Sequence, residues 1–145
     1  MLVRDILSTK QIGKIISITP GDTVATAAKL LSEMRIGAVI VREAGNEIDG
    51  ILSERDIVRE LGRSGAGCLE DKVSELMTSN VKSCKLTDTT EQVMQMMTDG
   101  RFRHMPVVED GKIIGVVSIG DVVAARIKEV QFENDSMAEM LAGNI

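Results

Sequence analysis

The period of the apolar positions changes several times along the chain, and it does so twice in the same order. Leu2, Val3, Ile6 and Leu7 make a short helical stripe. Lys14 to Ile18 reads as a short strand stopped by the turn cluster Thr19-Pro20-Gly21-Asp22. Behind Asp22-Thr23, a helix start, Val24, Ala27, Ala28, Leu31 and Met34 recur at helical spacing. Gly37 to Val41 is a continuous apolar run and predicts a buried strand. Ala44 to Glu47 predicts a hairpin turn, Ile48 to Leu52 a second strand, and Glu54 to Leu61 a helix. Gly62 to Gly67 reads as a flexible connector.

The second half repeats this order. Val73 to Met77 echoes the opening stripe, Asp88-Thr89 echoes Asp22-Thr23, and Arg101 echoes Arg35. The firmest echo is Gly50-Ile51-Leu52-Ser53-Glu54-Arg55-Asp56, which returns as Gly115-Val116-Val117-Ser118-Ile119-Gly120-Asp121. Both copies read Gly, two aliphatics, Ser, two variable residues and Asp, then run into an apolar helix. That is the end of a strand with Ser as N-cap and Asp completing a capping box at the positive end of a helix. Such an end is also a ready anion site. Each half is a β-α-β-β-α unit of about 60–65 residues, whose sheet face is marginal alone. The expected fold class is therefore α/β (α+β), two pseudo-symmetric repeats packed sheet to sheet. The expected division is 1–65, 66–127 and a helical tail, 128–145. From Arg126 on, the helical pattern has scattered apolar residues (Ile127, Val130, Met137, Met140, Leu141) and no counterpart in the first half. A fraying helix and a dimer strap both fit it, and Lys128, Glu129 and Glu133 read as solvated helix charges.

Composition narrows the function classes. With 17 basic against 22 acidic residues among 145, the chain carries a formal charge of −5. It has no basic field and only two aromatics, Phe102 and Phe132, so neither duplex nor single-stranded nucleic acid is an expected partner. Nine Met residues, Met94, Met96 and Met97 among them, read as core filling. Cys68 and Cys84 stand apart without a CxxC, which predicts reduced thiols and no metal site. No signal-like leader or 18-residue apolar stretch is present, so a cytoplasmic protein off the membrane is expected.

The two Gly-x-x-Ser-x-x-Asp copies, with Arg103-His104-Met105-Pro106-Val107-Val108 and the opening of each half, resemble a tandem pair of CBS domains, named after cystathionine β-synthase. The resemblance covers roughly residues 1–127. It implies a non-enzymatic regulatory module with up to two clefts for an adenosine-containing ligand: AMP, ATP, NAD(H) or S-adenosylmethionine. It also implies a homodimer and an unidentified regulated protein. By this resemblance one cleft joins Ile51, Ser53 and Asp56 to Val81, Phe102, Arg103 and His104. The other joins Val116, Ser118 and Asp121 to Lys14, Ile16, Ile36, Gly37 and Ala38. Asp takes the ribose hydroxyls, Ser lies by ribose or phosphate, and the aliphatic two before Ser touches the base.

The chemistry fits those residue types. A carboxylate accepts two donors from a diol, small residues admit a flat base, and cations meet phosphate. Arg103 and Lys14 favour AMP or ATP over the sulfonium of S-adenosylmethionine, and no cofactor is required. The repeats differ where it matters. The first has Gly37-Ala38 in place of Arg103-His104, so the clefts are not expected to be equivalent. Two alternatives stand: a structural dimerisation module with unoccupied clefts, and a small nucleotide-acting enzyme, against which the lack of paired catalytic groups speaks. A dimer is expected to bury the apolar faces of Val24 to Met34 and Val93 to Met97.

Overall fold

The computed structural model describes residues 1–9, 15–43 and 47–143. Lys14 and positions 44–46 of the expected hairpin turn lie outside them. In chain order the elements are α1 (Val3–Thr9), β1 (Ser17–Ile18), α2 (Val24–Met34), β2 (Ala38–Val41), β3 (Gly50–Ser53) and α3 (Glu54–Ser64). A 3₁₀ turn (Ala66–Glu70) follows, then α4 (Val73–Leu76), α5 (Thr90–Gly100), β4 (His104–Glu109), β5 (Lys112–Ser118) and α6 (Ile119–Leu141). The expected order of strands and helices is thus present, with one contraction. The second repeat's first strand is reduced to a single parallel bridge, Cys84 opposite Val107, because Cys84 is the one buried residue among exposed Lys82, Ser83 and Lys85.

The elements form two compact units that interleave along the chain. One comprises Lys14–Lys82 with Asp110–Ile113; the other comprises Met1–Gly13, Ser83–Glu109 and Ile114–Ile145. In the first unit β1 runs parallel to β2, Ile18 opposite Val41. β2 runs antiparallel to β3, with Ala38 opposite Ser53 and Val41 opposite Gly50. Its core is Ile18, Val24, Ala27, Leu31, Val39, Val41, Leu52, Ile57 and Val73. In the second unit β4 and β5 pair, and the core gathers Val3, Ile6 and Leu7 with Cys84, Val93, Met97, Met105, Val107, Val117, Val122 and Ala125.

The opening helix of each repeat sits on the other repeat's framework. In the first unit α4 closes the start of α2: Val73 donates to the Asp22 carbonyl at 2.8 Å, and Val24 to the Asp71 carbonyl at 2.9 Å. In the second, α1 does the same for α5, with Val3 donating to Asp88 at 2.9 Å and Thr90 to Met1 at 3.1 Å. These bonds satisfy N–H groups that a helix start leaves orphaned. Thr23 and Thr89 cap α2 and α5, accepting from Thr26 and Gln92. Both helices end on a left-handed arginine, Arg35 (φ 53°) and Arg101 (φ 56°), the same repeat position twice.

Three expectations change. The segment 62–67 is no loose linker: α3 continues to Ser64, whose hydroxyl donates to Glu60 at 2.7 Å, and the 3₁₀ turn buries Cys68. The apolar residues assigned to a dimer face, Val24, Ala27, Leu31, Val93 and Met97, are buried inside their own units; on those faces Met34 is 48% exposed. Glu129 is not a solvated charge. It accepts from the Thr90 hydroxyl at 3.0 Å and pairs with Arg126 and the Met1 amine. Burial pushes its pKa up, but the hydrogen bonds from the amine, Arg126 and Thr90 outweigh this and hold it below the usual carboxylate value.

Candidate functional site

The duplicated turn folds as its residues dictate. β3 ends on Ser53, an extended residue (φ −105°, ψ 159°), and α3 begins at Glu54. Asp56 N–H donates to Ser53 Oγ at 3.2 Å, while Ser53 N–H and Oγ–H both donate to Asp56 Oδ2 at 2.9 Å. The Asp56 Oδ1 faces Arg59 Nη1 at 3.6 Å. At the second copy Ser118 N–H donates to Asp121 Oδ2 at 2.8 Å and Asp121 N–H to Ser118 Oγ at 3.1 Å. Both turns are therefore complete capping boxes, with Ser and Asp half-buried rather than sealed.

The glycine that opens each copy is set by close approach. A Cβ on Gly50 would lie 2.7 Å from both Met77 Sδ and the Thr78 carbonyl oxygen; on Gly115 it would lie 3.0 Å from Leu7 Cδ2. Leu7 lies in α1 and Met77 caps the end of α4, so in each unit the motif's Gly packs against the apolar stripe of an opening helix. The Thr78 contact is fixed by backbone bonds to Ile51 in both directions, 3.0 and 2.9 Å.

Within the first unit the structure gathers eight of the predicted residues. Ala38 pairs with Ser53, Ile40 N–H donates to Ile16, and the Gly37 carbonyl accepts from Glu54 N–H at 2.9 Å, at the first turn of α3. Ile16, Ile36, Gly37, Ala38, Ile51, Ser53, Asp56 and Val81 are all half-buried. The second unit holds Phe102, Arg103, His104, Val116, Ser118 and Asp121. There the Arg103 carbonyl accepts from Ile119 N–H at 2.8 Å, the counterpart of the Gly37–Glu54 bond. Arg103 is exposed, and the other five are half-buried. Lys14 lies outside the described residues. So Arg103-His104 and Gly37-Ala38 occupy the same place beside the first turn after Ser. One place carries a cation and an imidazole; the other carries nothing larger than a methyl group.

Asp121 also borders a groove of about 680 Å³ between α1 and α6, with Ser8, Thr9, Lys128, Glu129 and Phe132 on its walls. This groove is not legible in the sequence, because it depends on α1 joining the second repeat's unit. Among the described residues no group of three or more His, Cys, Asp or Glu could hold a metal ion, and no helix is long and apolar enough to cross a membrane.

Two small α/β frameworks, each built around a strand, a Ser-x-x-Asp capping box and a helix, define a tandem-repeat module with an open, half-buried turn in each repeat. The chain belongs to the CBS domain family, whose model matches residues 3–63 and 73–128. It is 37% identical over 129 residues to the mitochondrial CBS domain-containing protein CBSX3 of Arabidopsis thaliana, covering 86% of this chain and 63% of that protein. The chain thus spans less than two thirds of that relative. Among solved structures, the CBS-domain containing protein ATU1752 from Agrobacterium tumefaciens is 43% identical with a TM-score of 0.82, covering 86% of this chain and 92% of that one. The CBS domain pair of protein MJ0100, solved in complex with 5′-methylthioadenosine and S-adenosyl-L-methionine, shares the fold at a TM-score of 0.74 and 22% identity, over 89% of this chain and 98% of that one.

Proposed function

We propose that this chain is a non-enzymatic cytoplasmic sensor of adenosine-containing ligands, acting as a homodimer and passing ligand occupancy to a protein partner. The observation that carries the reading is the duplicated turn itself. In each repeat a half-buried Ser and Asp stand at a helix N-terminus beside small or cationic residues of the same unit, Gly37-Ala38 or Arg103-His104. The MJ0100 pair, of the same fold, supports the ligand class. In the proposed clefts the residues work crosswise, Ile51, Ser53 and Asp56 with Val81, Phe102, Arg103 and His104. Val116, Ser118 and Asp121 work with Lys14, Ile16, Ile36, Gly37 and Ala38. AMP or ATP is favoured because Arg103 and Lys14 offer cations to phosphate; NAD(H) and S-adenosylmethionine are the next candidates.

A structural dimerisation module with unoccupied clefts is favoured by one specific observation: Asp56 Oδ2 already accepts two hydrogen bonds and Oδ1 already has a cation near it. Thermal-shift titration with AMP, ATP, adenosine, NAD and S-adenosylmethionine separates the two. A ligand that binds only the folded state stabilises it by about 2.7 kcal/mol at a hundred times its Kd. No shift with any of the five would leave the module structural. If phosphate meets Arg103, Arg103→Ala weakens ATP and AMP more than adenosine, and the difference shrinks as salt rises. Equal loss for all three would remove the phosphate contact from the reading.

A further inference from the structure

Helix α6 carries a strip that neither core uses. Val123, Ile127, Val130, Met137 and Leu141 are 41, 54, 43, 63 and 84% exposed. Together with exposed Asn134 they fall at successive intervals of four, three, four, three and four residues. That is the 3.5-residue period of a coiled-coil seam, with Ile127, Asn134 and Leu141 at one core position and Val123, Val130 and Met137 at the other. Another face of the same helix is spent inside its unit, where Val122 and Ala125 are buried and Glu129 holds Thr90 and Arg126. The strip points elsewhere.

We infer that α6 is a self-association surface: two copies of the chain pair their α6 helices in parallel and in register, Asn134 against Asn134 of the partner subunit. This rests on the homodimer reading above and supplies a surface for it. A second copy is the fitting occupant because such a seam needs another seam, and α6 itself provides one. Five large side chains per helix, each burying on the order of 100 Å², put about 1,000 Å² into the contact, the lower bound of a specific interface. Polarity and charge set the direction. In parallel, the two Asn134 amides bond to each other, the role a polar residue plays at one such position. Antiparallel pairing would seat Asn134 on Val130, leaving the amide unpaired. It would also bring Glu133 onto Glu133 across the seam.

The test is light scattering and sedimentation of the full chain at 1–100 µM (roughly the range in which such contacts are measured), beside the double variant Ile127→Glu/Met137→Glu. Wild type is expected to be dimeric and the variant monomeric, its dimer Kd raised at least about a hundredfold with unchanged circular dichroism. A monomeric wild type overturns both the homodimer reading and this surface. A dimeric wild type with an equally dimeric variant overturns the surface alone. Direction is read from Leu141→Cys under mild oxidation, since parallel pairing brings the two thiols together, whereas antiparallel pairing sets them about 27 Å or more apart. A disulfide-linked dimer is expected; a dimer that does not cross-link overturns the parallel arrangement.

Discussion

At the scale of single residues, the two motif glycines look interchangeable in the sequence and are not so in space. A methyl group on Gly50 meets the backbone oxygen of Thr78, held by reciprocal hydrogen bonds to Ile51, whereas on Gly115 it meets only the end of the Leu7 side chain. Gly50→Ala is therefore expected to cost about 1–3 kcal/mol and Gly115→Ala markedly less, read as urea midpoints at constant m. Equal costs would mean that the β3 edge yields as easily as a leucine. Cys84 is a second such case. Burial, reinforced by Asp88, pushes its thiol up to about 12, and its Sγ lies 3.7 Å from the Pro106 carbonyl. In the unfolded chain a thiol titrates near 8.5. The folded state therefore holds its proton longer, and the associated stability is complete below that value and lost as pH rises towards about 12. Relative to Cys84→Ala, wild type should lose about 1.4 kcal/mol per pH unit above roughly pH 9. Parallel stability curves between pH 8 and 11 would show the thiol to be accessible.

At the scale of elements, much was legible because apolar period and capping chemistry are local. Val24 to Met34 and the Ser53-Asp56 and Ser118-Asp121 turns fold as they read. The Asp110-Gly111 turn is equally readable from its residue types, two positive-φ residues (51° and 76°) between strands. What could not be read is which framework each opening helix joins, since a stripe such as Val73 to Met77 states only that it needs a core. Glu129 escaped for the same reason: its partners Thr90 and Met1 are distant in sequence. The capping boxes leave one question that substitution answers. Asp56→Ala and Asp121→Ala should each cost about 1 kcal/mol of stability as lost caps. If the carboxylate also binds a ribose, nucleotide affinity falls by a further ten- to hundredfold, about 1.5–3 kcal/mol. Lower melting temperatures with unchanged calorimetric affinity in both variants would assign the aspartates to capping alone.

At the scale of the whole molecule, the exchange of opening helices decides how the chain can be divided. A cut after residue 65 follows the repeat as it reads in sequence, but it strips the first unit of Cys68 and Val73, 3% and 0% exposed, and of Leu76 and Met77 packed against the same core. Each fully buried side chain of that size contributes about 1.5–3 kcal/mol, so the loss rivals the whole stability of a domain this small, about 5 kcal/mol. The same cut leaves Val3, Ile6 and Leu7, buried in the second unit, attached to the wrong fragment. A fragment of residues 14–82 keeps the first core together with α4 and the Thr78 edge contact. It is expected to melt cooperatively with native-like helical dichroism, while residues 1–65, of nearly equal length, give a non-cooperative baseline. Mixing 1–65 with 66–145 should restore cooperative melting, because each piece then supplies the helix the other lacks. If 1–65 folds alone as well as 14–82, α4 is dispensable and its backbone bonds to Asp22 and Pro20 stabilise little beyond their own ends.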